Sequence, residues 1–379
     1  MSCRPRFRRE RALGGWGKAG DNCNLIEMSL HIFTCEPGWE NVLIDELGRV
    51  FPGSSSRSLG AGWVECRLTG EPSCEEPCAS FASQMLPGAA PLAAPSISKW
   101  AHLAGARLIE ALEHHEGPWR LHVFAVKSPE APVGQARCRL IEEAIVELLR
   151  KKQRRLLRSR IVEDERPWAA DEAIVQLGLT TPSEGFFSAA LPPVRARLSR
   201  ALSRFPGGIV EIPADLAAPS RAFAKLAEVE IRLGRRIAAG ETCVDLGASP
   251  GSWTYLALAR GARVTAVDRS PLRDDLMKQP RLSFVRGDAF RYEPSEPVDW
   301  LLCDVIAFPE RSFELLQTWL SNRWCRWFCV TIKFKGQGEY PKLEGFESSL
   351  DESGAEFFLR RLTSNKNEVT AYGGTKAEG

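Results

Sequence analysis

Three carboxylates, Asp268, Asp288 and Asp304, stand at the ends of apolar runs, in a stretch opened by the turn Asp245-Leu-Gly-Ala-Ser-Pro-Gly-Ser-Trp253. Acids at strand ends in a strand, turn and helix repeat are how an open parallel α/β sheet builds a ligand crevice. Gly247 and Gly251 permit a tight turn and close approach of a ligand to the backbone. Asp268 lies about twenty residues past Gly247, where such a sheet sets an acid on ribose hydroxyls. A dinucleotide site wants Gly-x-Gly-x-x-Gly, whereas this turn reads Gly-Ala-Ser-Pro-Gly-Ser. The glycine that makes room for a pyrophosphate is missing, and Pro250 removes one N–H donor. The pocket therefore suits a nucleoside-bearing ligand without a diphosphate, a description that S-adenosylmethionine fits. The alternative is a generic α/β sheet whose strand-end acids are simply solvated.

The elements that must position these groups follow from periodicity. Apolar runs predict strands at 264–268, 282–286, 298–304 and 327–332, with helices at 310–322 and 342–353. Two closing strands, 356–362 and 368–372, read as a hairpin. Upstream, Ser220 is expected to cap a helix with an apolar stripe at Phe223, Leu226, Val229 and Leu233. Lys225 falls off that stripe and is expected to face a cleft.

The motif Asp245-Leu-Gly-Ala-Ser-Pro-Gly-Ser-Trp253 resembles the Asp-Leu-Gly-Ala-x-Pro-Gly-Gly-Trp signature of the FtsJ-like ribose 2′-O-methyltransferases. Pro219-Ser-Arg-Ala-Phe-Ala-Lys-Leu226, Cys303-Asp304, Ile332-Lys333 and Glu368-Val-Thr extend the likeness over roughly 215–375. The resemblance implies a Lys-Asp-Lys-Glu tetrad around the target hydroxyl, carried here by Lys225, Asp304, Lys333 and Glu368 in the family's order. Within that family the chain resembles the RlmM type, which methylates a cytidine ribose in large-subunit (23S) ribosomal RNA and carries an N-terminal THUMP domain. The implied fold is α/β: a Rossmann-like S-adenosylmethionine-dependent methyltransferase domain behind an N-terminal α+β (ferredoxin-like plus THUMP-like) RNA-binding region.

Methylating a ribose hydroxyl needs help in removing a proton of pKa well above neutrality, and a lysine serves as base only when deprotonated. The resemblance makes Lys333 that base, with Lys225 as the neighbouring ammonium that disfavours a second protonated amine. Asp304 is expected to orient Lys333 or the hydroxyl, and Glu368 to fix the lysine rotamers. For the cofactor, the resemblance adds Ser220 and the turn residues Ser249, Pro250, Gly251 and Ser252 to the strand-end acids. Asp268 is assigned the ribose hydroxyls, Asp288 the adenine amine, and Trp253 the shape of the pocket, with Asp304 near the methionine amine. Ser252 replaces the family's second glycine; it fits if its φ is negative and costs about 1 kcal/mol or more otherwise. No metal is called for.

Upstream, residues 1–28 read as a disordered basic arm, with Arg4, Arg6, Arg8, Arg9 and Arg11, or as an over-extended start ahead of Met28. A small N-terminal α/β unit is expected over 29–95, with a strand at 30–35, a helix at 39–50 and a strand at 62–68. Its opening, Cys35-Glu-Pro-Gly-Trp-Glu40, is similar to Cys-Arg-Pro-Gly-Phe-Glu of RlmM-type chains. The Pro/Ala/Ser-rich stretch 71–98 reads as a loosely constrained connection. A THUMP-like domain over 96–200 follows: helix 99–114, strand 119–125, long helix 135–157, then strands 172–178 and 186–190. Arg150, Lys151, Lys152, Arg154, Arg155, Arg158 and Arg160 form the densest basic cluster, either a solvated helix end or an RNA-phosphate contact. Residues 192–219 hold five prolines and several exposed-looking arginines and read as a linker into the methyltransferase domain, 201–379.

Composition sets bounds on all of this. With 379 residues, 44% hydrophobic and 26% charged, the chain should hold two or three folded domains. A net charge of only +2 requires any RNA footprint to be local. No apolar run approaches the roughly 20 residues of a membrane span. The eleven cysteines are scattered without a Cys-x-x-Cys pair, the nearest spacings being Cys74/Cys78 and Cys325/Cys329, so they read as reduced thiols in a cytoplasmic protein. Ribosomal RNA is the expected partner, and the sequence leaves the oligomeric state open, with a monomer favoured. An amino-methyltransferase would show Asn/Asp-Pro-Pro-Tyr/Phe where this chain has Cys-Asp-Val-Ile-Ala-Phe308, and the only Pro-Cys, Pro77-Cys78, lies far from any C5-methyltransferase position. A non-catalytic RNA-binding assembly factor on the same fold is the remaining rival.

Overall fold

The structure is a computed structural model that describes residues 28–69, 79–127, 133–162 and 166–375. The basic arm, Cys74, Cys78 and the start of the Pro/Ala/Ser-rich stretch lie outside the described residues.

Three sheets follow one another. The first is antiparallel, from β1 (Met28–Thr34), α1 (Glu40–Val50), β2 (Ser55–Gly60), β3 (Trp63–Thr69) and β4 (Gln84–Leu86), in the order β2-β3-β1-β4. The second takes β5 (Ala90–Ala93), α2 (Ile97–Ala111), β6 (Trp119–Phe124), α3 (Gln135–Lys152), β7 (Arg160–Ile161), β8 (Ala173–Leu179) and β9 (Glu184–Ala190), ordered β5-β9-β8-β6-β7. The stretch expected to be loosely constrained thus contains two short strands, and the chain passes from one sheet to the other between Leu86 and Ala90. Strands of three and four residues, one holding Pro91, are too short to show a period in sequence.

The expected linker is also more ordered than its prolines suggest. It forms α4 (Pro192–Arg197) and buries Leu198, Ala201, Leu202 and Phe205. Arg195 and Arg204, read as exposed, are buried, because backbone carbonyls satisfy them. Arg195 donates to Glu172 O at 3.0 Å and Arg204 to Arg232 O at 2.8 Å.

The third sheet positions the site. It comprises α5 (Phe223–Leu233), β10 (Thr242–Leu246), α6 (Ser252–Ala259), β11 (Arg263–Asp268), α7 (Asp274–Met277), β12 (Leu282–Arg286), β13 (Val298–Cys303), α8 (Pro309–Ser321), β14 (Cys325–Lys333), α9 (Lys342–Glu352), β15 (Ala355–Arg360) and β16 (Glu368–Thr375). The strand order is β12-β11-β10-β13-β14-β16-β15, parallel except for β16, which runs antiparallel to both β14 and β15. Val244, Leu301 and Phe328 bury one face and Cys243, Leu302 and Cys329 the other, which is why these strands read as continuous apolar runs. The order reverses between β10 and β13, so the crevice opens at the carboxyl ends of those two strands.

The first sheet props the end of β14. Trp39 stacks on Phe81 with ring centroids 5.7 Å apart, Phe81 meets Tyr340 at 4.8 Å, and Tyr340 meets Phe334 at 5.1 Å. Arg361 lies over Trp39 at 4.4 Å, and Arg360 donates to Ser83 O at 2.9 Å. Together these contacts fix the segment just past Lys333.

Candidate active site

The glycine turn forms the floor. Gly247 (φ +74°) and Gly251 (φ +108°) hold backbone conformations that L side chains rarely adopt. A Cβ on Gly247 would strike Val305, and one on Gly251 would strike Leu276. Ser252 is the first residue of α6 and is not among the positive-φ residues, so the serine fits without strain. Its hydroxyl lies 2.7 Å from Ser220 Oγ. Ser220 is not the cap expected of it. It accepts from Ala222 N–H at 3.2 Å, and α5 starts from Ala222 without a side-chain cap. Trp253 is buried and donates from Nε1 to Ala222 O at 2.8 Å, tying the start of α5 to the turn.

A cavity of about 380 Å³ opens above this floor. Its walls include Ser220, Ser249, Pro250, Ser252, Trp253, Asp268, Asp304 and Lys333 from the sequence-derived set. Gly251 shapes the helix entry and Asp288 stands at the next strand end; neither is on the wall. Asp268 accepts Ser249 N–H at 3.0 Å and Ser270 N–H at 2.8 Å. Asp288 accepts Phe290 N–H at 3.0 Å and Arg269 at 2.7 Å, which together hold its carboxyl below the usual range. Asp245, which opens the glycine-turn motif and is given no separate role by the sequence, is also on the wall. Burial pushes its carboxyl up to about 7 against a 2.6 Å hydrogen bond from Thr254 Oγ1. Its place one residue before the Leu-Gly turn was the available signal.

The four tetrad residues meet at the cavity's edge. Lys225 Nζ lies 2.6 Å from Glu368 Oε1 and 3.1 Å from Asp304 Oδ2. Lys333 Nζ lies 2.9 Å from Asp304 Oδ1 and donates to Asp304 O at 3.0 Å. Asp304 therefore bridges the two lysine side chains. Lys225 does not face the cleft as expected: its side chain is 9% exposed against 22% for Lys333. Burial opposes its charge, but Asp304 and Glu368 outweigh burial and raise its pKa. Glu368 fixes Lys225 and accepts from Asn365 Nδ2 at 3.0 Å.

Sheet order, closing hairpin and strand-end cleft define a Rossmann-like α/β methyltransferase fold. Residues 218–333 match the FtsJ-like methyltransferase family. The chain is similar to the ribosomal RNA large subunit methyltransferase M of Stutzerimonas stutzeri (strain A1501), 36% identical over 180 residues, covering 44% of this chain and 52% of that protein. The protein of the same name from Thauera aminoaromatica is 34% identical over 181 residues, covering 45% and 50%. The chain thus spans about half the length of these curated relatives. A solved 1,6-didemethyltoxoflavin-N1-methyltransferase from Burkholderia thailandensis is 18% identical, with TM-score 0.32, covering 44% of this chain and 95% of that one. Among the described residues, no helix is long and apolar enough to cross a membrane.

Proposed function

We propose that this protein transfers a methyl group from S-adenosylmethionine to a ribose 2′-hydroxyl in ribosomal RNA, at a cytidine of the large-subunit (23S) RNA. The observation that carries this reading is the meeting of Lys225, Asp304, Lys333 and Glu368 beside a nucleoside-sized cleft. The cavity wall bears three carboxylates, Asp245, Asp268 and Asp304, against one cation, Lys333, which suits a positively charged nucleoside ligand. Asp268 would hold the ribose hydroxyls and Asp245 would face the cationic arm, while Asp288 would reach an adenine amine only after releasing Arg269. When bound, the cofactor supplies an electrophilic sulfonium methyl.

The chain's own residues do the rest. Asp304 holds Lys333 through both its carboxylate and its carbonyl, so the amine has a fixed approach to the hydroxyl. With its proton gone, Lys333 accepts the hydroxyl proton. Lys225, kept as an ammonium between Asp304 and Glu368, holds in place the Asp304 carboxylate that orients Lys333.

The N-terminal half completes the reading: a small α/β unit over 29–95 and a THUMP-like RNA-binding domain over 96–200, in a cytoplasmic monomer. Support comes from the basic cluster after α3. Arg150 and Lys151 pair with Glu147, whereas Lys152, Arg154 and Arg158 are exposed without a carboxylate partner among the described residues. Such cations fit RNA phosphates. Mapping ribose methylation on 23S ribosomal RNA with and without the protein is the test. One new 2′-O-methylcytidine supports the reading; an unchanged map sinks it.

A further inference from the structure

The mouth of the cleft holds two large apolar side chains in water. Ile306 is 88% exposed and Phe308 51% exposed. Both belong to the loop that follows Asp304 and leads into α8. The loop is anchored at each end. Val305 packs on Gly247, and the Phe308 carbonyl accepts Arg311 N–H at 3.1 Å to start α8. The apolar tips are therefore held outward by a fixed backbone.

A cation completes the group. Lys335 Nζ lies 4.1 Å from the Phe308 ring centroid. Lys333 and Lys335 flank the buried Phe334, whose N–H and carbonyl both bond Asn367 at 3.0 and 2.7 Å. These two bonds hold Phe334 inward just past the end of β14, with Lys333 half-buried and Lys335 exposed on either side of it. Ile306 lines the same cavity as Asp304 and Lys333, so the apolar pair adjoins the tetrad. Leu216 and Val162, also exposed, are not on the wall of this cavity.

An aromatic ring with an ammonium against it, next to a site built for a ribose, matches one chemistry. A nucleobase stacks on aromatic side chains, and the phosphate beside it attracts a lysine. A base inside a duplex offers no face, so the occupant must be unpaired. We propose that Phe308, with Ile306 and Lys335, is the stacking platform for an unpaired base of the substrate RNA, making a single-stranded or bulged nucleotide the required substrate. This rests on the ribose-methylation reading and extends it from the reacting sugar to a base beside it.

The test uses the full chain with S-adenosylhomocysteine and a single-stranded RNA carrying 2-aminopurine beside the target nucleotide. Wild-type protein should quench the fluorophore. Phe308→Ala should abolish the quench and weaken binding about tenfold or more, while Phe308→Trp restores both. Cofactor affinity should not change in either variant, since Phe308 is not on the cavity wall. A wild-type protein that leaves the fluorophore unquenched, or that binds the same sequence equally well as a duplex, overturns the platform. So does an unchanged quench in Phe308→Ala, which would assign the apolar pair to a protein partner. Stacking needs no methyl transfer, so a protein that stacks without transferring keeps the platform and loses the methylation reading. Transfer by Phe308→Ala at wild-type kcat/KM does the reverse.

Discussion

Lys333 and Glu368 stand opposite each other in the register of β14 and β16, yet each pairs with a residue brought from elsewhere. Lys333 takes Asp304 from the end of β13, and Glu368 takes Lys225 from α5. Asp304 then closes the set by holding Lys225 as well. The cross-strand register therefore brings both ends of the tetrad to one place, and α5 supplies the buried charge between them.

Lys225 should be the stability-critical member. Lys225→Met leaves Glu368 and Asp304 facing each other without the shared cation, and breaking such a buried set costs about 3–5 kcal/mol. Urea unfolding should report the loss, and adding Glu368→Gln should recover part of it. Because the Lys225 pKa is raised, its contribution is present below the ordinary lysine value of 10.5 and is lost as pH rises through the higher folded value. Stability of the wild type should thus fall at strongly alkaline pH more than that of Lys225→Met.

Asp245 gives a pH dependence near neutrality. Its carboxyl is raised from 3.8 to about 7 by burial, so the folded chain without ligand binds a proton that the unfolded chain has released. The stabilisation is full below 3.8 and is lost as pH rises to about 7. A cationic ligand favours the ionised form, so S-adenosylmethionine affinity should rise as pH passes through 7. Titration calorimetry on Asp245→Asn should show that rise flattened.

The turn separates two glycine positions. Ser252→Gly, which introduces the glycine of the FtsJ-like signature, should leave cofactor affinity within about threefold and lower stability by roughly 1 kcal/mol through the helix start and the lost Ser220 contact. Gly251→Ala meets both a positive φ and Leu276, and should cost about 1–2 kcal/mol or more along with cofactor binding. Thermal melts with and without ligand distinguish them.

The cluster after α3 should act without sequence preference. Replacing Lys152, Arg154 and Arg158 together by alanine should weaken binding to all RNAs alike and reduce the salt slope by roughly one per residue. An unchanged slope would make the cluster a solvated helix end.

Much of the site was legible because its residues lie at strand ends, where burial patterns and acids are visible together. Asp268, Asp304 and Lys333 fall where the apolar runs stop, and the motif set gave Lys225 and Glu368 their places. What stayed hidden depends on distant partners. Arg195 and Arg204 look like surface cations until carbonyls from Glu172 and Arg232 meet them. Ser220 sits two residues before the helix-starting Ala222, a difference that only backbone geometry reveals. Lys225 falls off the apolar stripe, but Asp304 and Glu368, far along the chain, provide the anions that let it be buried.

Single-turnover methyl transfer to 23S ribosomal RNA by wild type and Lys333→Ala, with RNA affinity measured on the same samples, bears most directly on the tetrad. Loss of the base should lower the transfer rate by about 10²–10⁴-fold while RNA affinity holds. A Lys333→Ala protein that methylates at the wild-type rate, or a wild type with no transfer to lose, would contradict it.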